Sequence, residues 1–130
     1  MYRNFEVVRR GRREKSMVLV APVEVRTEIG GPSRDGCALH LQGVASAVFN
    51  LGDGMTFQVL LARDGAPVPI YERTFDPGRA AADRDWSALD VPLDLRPGER
   101  GQLLLRLGAG PQGDLVGDWL ALARLAIVEK

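Results

Sequence analysis

The chain holds one histidine, His40, and one cysteine, Cys37, and nucleophilic or acid–base catalysis would have to start from them. A Ser-His-Asp or Cys-His arrangement needs the imidazole in contact with the nucleophile. Residues 37 and 40 are three apart on an alternating segment, which sends their side chains to opposite faces of a strand. A dyad from this pair is therefore not expected. Paired carboxylates are the other route, because two of them can hydrolyse a glycosidic bond. Asp83, Asp85, Asp90, Asp94, Asp114 and Asp118 are available, but they sit in turns and on wet strand faces, where Asp belongs anyway. Neither Gly52-Asp-Gly54 nor Gly108-Ala-Gly110 has the Lys-Ser/Thr ending of a phosphate-binding loop. One cysteine forms no intrachain disulfide and no Cys-based zinc site. Asp76, Asp83 and Asp85 flank one loop and Asp114 and Asp118 another, without the local spacing of a calcium loop. The expectation is a protein with no catalytic residues, no metal and no cofactor.

Recognition is the chemistry these residues support better. Trp and Tyr present an apolar face and a polar tip, and the C–H faces of a pyranose stack on such rings while planar polar groups hold its hydroxyls. Tyr2, Tyr71, Trp86 and Trp119 qualify. Tyr71 falls on the same strand face as Arg73, and Asp85 adjoins Trp86. Tyr71, Arg73, Asp85 and Trp86 are the expected carbohydrate-binding residues, with Arg124 as an outlying fifth. Aromatic residues make up only 6% of the chain, which is thin for a dedicated glycan binder. A structural or protein-contact module is the alternative. On that reading Leu60 and Leu104, apolar on otherwise polar faces, mark patches for a partner.

The elements that must position these residues are short and alternate. Val23, Val25 and Thr27 oppose Glu24, Arg26 and Glu28; Leu89, Val91, Leu93 and Leu95 oppose Asp90, Pro92 and Asp94. Period two with β-branched residues is a strand with one wet face. Further strands are expected near residues 5–10, 17–22, 37–42 (continuing or followed by 45–49), 55–63, 68–75 and 102–107. Turn chemistry separates them: 30–36, 50–54, 64–65, 76–85 (with one helical turn) and 96–101. Pro69 suits an edge position or a strand start. Residues 114–130 fit both an amphipathic helix and a strand buried on both faces. A strand from about Asp118 to Val128 is expected, because the other strands need a closing partner. Short strands spaced by turns make an antiparallel sandwich or barrel.

Composition sets the frame. At 130 residues the chain is one domain, with a core at about 17–129 and an N-terminal strand and basic loop over 1–16. An apolar fraction of 45% against 26% charged residues is ordinary for a globular protein. The 17 basic residues match 17 acidic ones, which argues against a nucleic-acid partner, since phosphate binding needs surplus cations. The basic run Arg9–Lys15 reads as a solvated loop or hairpin end. No stretch of about 18 apolar residues exists, so no membrane-inserted segment is expected. The N-terminus carries no apolar core before a cleavage site. A disulfide-free domain is compatible with the cell surface as part of a larger protein, or with the cytoplasm if residue 1 is the true start. With zero net charge, self-association into a homo-oligomer is open to it.

The second half carries a recognisable pattern: Asp76-Pro77, then Asp83-Arg84-Asp85-Trp86, then Leu89-Asp-Val-Pro-Leu-Asp-Leu95. Gly98 and Gly101-Gln-Leu-Leu-Leu-Arg-Leu107 follow, and Gly117-Asp118-Trp119 with Ala123-Arg124 close it. In the first half a Gly52-Asp-Gly54 turn leads into Phe57-Gln-Val-Leu-Leu61. This resembles the galactose-binding-like, carbohydrate-binding-module type of β-sandwich over roughly residues 17 to 129. The resemblance implies a jelly roll of about eight short strands, often with a structural calcium and with tryptophans packed at the sandwich edge. It implies an accessory module on a carbohydrate-active protein, or a spacer or protein-contact domain, since fold alone does not choose between them.

Overall fold

The structure, a computed structural model, describes residues 1–50, 54–110, 113, 115 and 117–130. The expected turn residues Gly52 and Asp53, and the carboxylate Asp114, lie outside the described residues. The chain runs β1 (Tyr2–Arg9), β2 (Arg12–Val20), β3 (Val23–Gly30), β4 (Leu39–Ala47), β5 (Met55–Ala62) and β6 (Val68–Phe75). A single 3-10 turn, η1 (Ala81–Arg84), precedes β7 (Ser87–Leu93), β8 (Arg100–Ala109) and β9 (Trp119–Glu129). Two antiparallel sheets result, one ordered β1-β2-β9-β4-β7 and the other β3-β8-β5-β6.

Without β1, the orders are 2-9-4-7 and 3-8-5-6, and every link from β2 to β9 except β5–β6 crosses between the sheets. That is jelly-roll connectivity. Among the described residues there are nine strands, against an expectation of about eight. The residues from Arg12 to Lys15, expected in a basic loop, lie inside β2, and only the turn at Arg10 and Gly11 is loop. Residues 45–47 continue β4 rather than starting a new strand. The C-terminal segment is a strand, paired with both β2 and β4.

The alternating residues meet between the sheets. Phe57, Val59 and Phe75 from one sheet pack with Leu41, Val91, Leu120 and Leu122 from the other. Burying side chains of this size stabilises the fold by about 1.5–3 kcal/mol each. A second, smaller core lies on the outward face of the five-stranded sheet. Val7, Val18 and Ala121 are buried there, with Val20, Val48, Trp86 and Trp119 packed against them. β9 serves both cores, since Leu120 and Leu122 point one way and Ala121 the other. This is why its sequence is apolar on both faces and shows no clean alternation.

β9 changes partners along its length. It pairs with β2 from Trp119 to Ala123, then continues to Glu129 against β4 alone. The register against β4 slips between Gln42 and Val44, and Arg124 takes a left-handed φ of 53° at this bulge. Gly43 belongs there because a Cβ would stand 2.8 Å from the Ala123 carbonyl oxygen.

Candidate functional site

The four residues expected to form one site divide between two faces. Tyr71 and Arg73 lie on β6 and point between the sheets. Tyr71 is half-buried with its ring edge-on to Phe57, centroids 6.2 Å apart. The Arg73 guanidinium donates to Ser87 Oγ on β7 at 2.6 Å and to Asp83 Oδ1 on η1 at 2.9 Å, and lies 4.1 Å over the Phe75 ring. Asp83 is itself buried, and its other oxygen accepts the Asp76 backbone N–H at 2.8 Å. Arg73 is thus a half-buried clamp across the β6–β7 side of the sandwich, with two of its five donors bonded inside the protein.

Trp86 directly precedes Ser87, so its side chain points to the opposite face, where it joins the second core. Its Nε1–H donates to the Arg12 carbonyl at 3.1 Å, tying the β7 end to the β1–β2 hairpin. Asp85 accepts the Trp86 backbone N–H at 2.7 Å. Arg9 fastens the same hairpin from its other strand, donating to the carbonyls of Arg84 at 3.0 Å and Val48 at 2.9 Å and to Asn50 Oδ1. Burial lowers the Arg9 pKa, and the nearby Asp85 charge opposes that shift. Arg124, the outlying fifth residue, bonds the buried Glu14 at 2.9 Å and holds that carboxyl below its ordinary range. Asp85 and Trp86 are therefore together, Tyr71 and Arg73 are together, and the pairs do not face a common space.

Of the other candidate carboxylates, Asp90 lies beside His40 and Asp94 accepts from Arg63 at 3.2 Å. Among the described residues, no group of three or more His, Cys, Asp or Glu side chains is placed to hold a metal ion. His40 Nδ1 lies 2.7 Å from Asp90 Oδ1, and this bond holds the Asp90 carboxyl below its usual range. Gln42 and Lys130 complete the Asp90 contacts. Leu60 and Leu104, expected as exposed patches, are instead buried with Ala62 on the outward face of the four-stranded sheet. In register around them on the same face stand Arg26, Gln58, Gln102 and Arg106, and long arginine stems can cover apolar surface while their heads stay wet.

A different constellation lies open at one corner of the five-stranded sheet. Tyr2 stacks on Trp119 with centroids 5.6 Å apart and planes at 26°, Phe49 meets the same indole edge-on at 5.4 Å, and Phe5 sits 5.9 Å from Tyr2. Tyr2, Phe5 and Phe49 are 48%, 45% and 39% exposed. The chain has two tryptophans, two tyrosines and four phenylalanines, and half of these rings meet here. Tyr2 reaches the corner because β1 pairs it with Val18, and Trp119 because β9 pairs it with Val20. The Val48 N–H bond to the Trp119 carbonyl, at 2.9 Å, brings in Phe49. Sequence reasoning named Tyr2 and Trp119 but missed Phe5 and Phe49. The available signal was Phe49 beside a turn, an aromatic at the end of a strand rather than inside it.

No protein-family model matches the chain, and no solved structure matches it. A protein of Archaeoglobus fulgidus, described only as uncharacterized, is 28% identical over 68 residues, which is 52% of this chain and 17% of that protein. The chain thus spans a small part of the length of the relative it matches.

Proposed function

We propose that this sandwich is a non-enzymatic accessory module of a longer protein and that it recognises carbohydrate through the Tyr2–Trp119 corner. The observation that carries the reading is the gathering of four rings, three of them well exposed, at one corner of the five-stranded sheet. Exposed aromatics cost solubility, and a soluble domain usually buries them or uses them. Rigid rings held by strands lose little entropy when a sugar stacks on them. The partial match to a much longer relative supports a role as one part of a larger chain. The internal commitments of Arg73, Asp83 and Trp86 move the proposed site away from Tyr71 and Arg73.

A broad glycan array probed with the intact chain tests this. At least one glycan is expected to bind, and Tyr2→Ala and Phe49→Ala are each expected to weaken it about tenfold, ~1.4 kcal/mol. Tyr71→Ala is expected to leave binding unchanged. Circular dichroism must show all three variants folded. An array with no retained glycan, or one on which only Tyr71→Ala loses binding, rejects the reading. A protein-contact role is the second reading, favoured by Val68 and Ile70, 59% and 37% exposed on the edge strand β6. A blank array together with a stable oligomer by light scattering would favour it.

A further inference from the structure

The flank of the sandwich opposite Arg73 is open, and two bare strand edges border it. β3 is the edge of its sheet, paired with β8 alone. Among the described residues, β9 from Leu125 onward pairs with β4 alone, because β2 leaves it after Ser16 meets Ala123. Its outer backbone groups over Leu125–Val128 form an unpaired edge of about 13 Å at ~3.3 Å per residue. Such an edge is a template for another strand.

Two hollows meet beside this edge. One is an apolar slot of about 260 Å³ between the sheets, lined by Val25, Leu41, Leu103, Leu105 and Ile127. The other, about 470 Å³, lies at the end nearest β2 and holds Arg3, Asn4, Lys15 and Arg124. Met17 and Leu125 line both, so slot and mouth are continuous. The mouth is basic. Arg124 shares Glu14 with Arg12, while Arg3 and Lys15 are exposed and make no ion pair with any described residue. At the far end Glu129 is held by Ser33 through two bonds of 2.8 and 2.9 Å.

We propose that this groove takes an extended peptide that adds as a strand to β9 with its C-terminal carboxylate in the basic mouth. The polarity follows from β2. β2 is antiparallel to β9 and vacates the track beside residues 125–128. A peptide entering that track antiparallel to β9 ends beside Arg124 and Lys15. Main-chain bonds to the edge supply affinity, alternate apolar side chains enter the slot, and the terminal carboxylate meets Arg3 and Lys15. A fatty acid would satisfy the slot and the mouth but leave the backbone edge unpaired.

The probe is a fluorescein-labelled octapeptide of alternating threonine and valine with a free C-terminal carboxylate, titrated into the intact chain by fluorescence anisotropy. Saturable binding is expected, with amide exchange slowed at two or more of residues 125–128. The C-terminally amidated peptide is expected to bind at least fivefold more weakly. The exposed substitutions Arg3→Glu and Lys15→Glu, made together, are expected to abolish the difference between acid and amide. The proposal is overturned by equal binding of acid and amide, by no saturation up to millimolar peptide, or by unchanged exchange at 125–128. It is also overturned if decanoate occupies the groove while the peptide does not displace it. A dimer by light scattering, with that edge already protected in the free protein, overturns it as well.

Discussion

The two outward faces of this sandwich solve the same problem differently. On the four-stranded sheet, Glu24 accepts bonds from Arg26 at 2.8 Å and from Arg106 at 2.7 Å, Gln58 reaches Glu72, and Thr56 meets Thr74. Beneath this polar layer Leu60, Ala62 and Leu104 are sealed. On the five-stranded sheet Val7, Val18 and Ala121 are buried, beside the small Ser16, Ser46 and Ala123. Their cover is aromatic, and it ends in the exposed rings of Tyr2, Phe5 and Phe49. One face finishes its own burial with flexible charged stems. The other leaves rigid apolar area in water. A face of the first kind has nothing left to offer a ligand, whereas one of the second kind gains by meeting one.

The comparison breaks first at Leu104. If the polar layer truly seals it, Leu104→Ala should cost about 2–5 kcal/mol in urea unfolding, as for a residue between the sheets. A cost under about 0.5 kcal/mol, ordinary for a surface site, would show that face to be open. Next comes Asp83→Ala, which leaves the half-buried Arg73 and the Asp76 N–H without their acceptor. A loss of about 1–3 kcal/mol is expected in the same measurement.

Acid sharpens the contrast further. Glu24, Glu99 and Glu129 have pKa values below the ordinary 4.5, led by bonds from Arg106, the Arg96 backbone and the Ser33 backbone respectively. Glu14 is lowered chiefly by Arg124, and Asp90 falls below its ordinary 3.8 chiefly through His40. A carboxylate lowered on folding adds stability that is complete above its unfolded value and is lost as pH falls through its folded one. Thermal midpoints should therefore hold steady from neutral pH to about 5, then drop on further acidification. A midpoint that rises below pH 4 would contradict these pairings. The smallest effect belongs to Glu24→Gln at neutral pH. Exposed pairs of this kind contribute little, so no resolvable change in midpoint is expected. A clear drop would mean that the ion pairs, rather than the stems beneath them, hold that face together.

Much of this fold was legible in the chain. Leu89, Val91 and Leu93 alternate because one side of β7 is wet, and Leu103, Leu105 and Leu107 keep the same beat on β8. What was illegible has a common cause: residues that serve two surfaces. Leu104 looked like a patch because its cover comes from side chains that are distant in sequence. β9 looked ambiguous because it lies between two cores. Arg73 looked like a ligand residue because nothing local shows that β6 faces β7 across the sandwich, where Ser87 and Asp83 await it. The candidate corner was half legible, since Tyr2 and Trp119 are conspicuous but Phe5 and Phe49 acquire meaning only by proximity.

By itself the sequence determined the strand periodicity, the turns and the two-layer architecture, because alternation and turn chemistry are local properties of neighbouring residues. Only the tertiary structure decided which strand edges stay bare, which polar groups are used up, and which rings meet. Gly31 shows the reason. Its place in a Gly-Gly-Pro turn is plain from the chain, yet a Cβ there would lie 1.9 Å from the carbonyl oxygen of Arg96. Contacts between segments so far apart depend on how the sheets pack, and no pattern of adjacent residues encodes them.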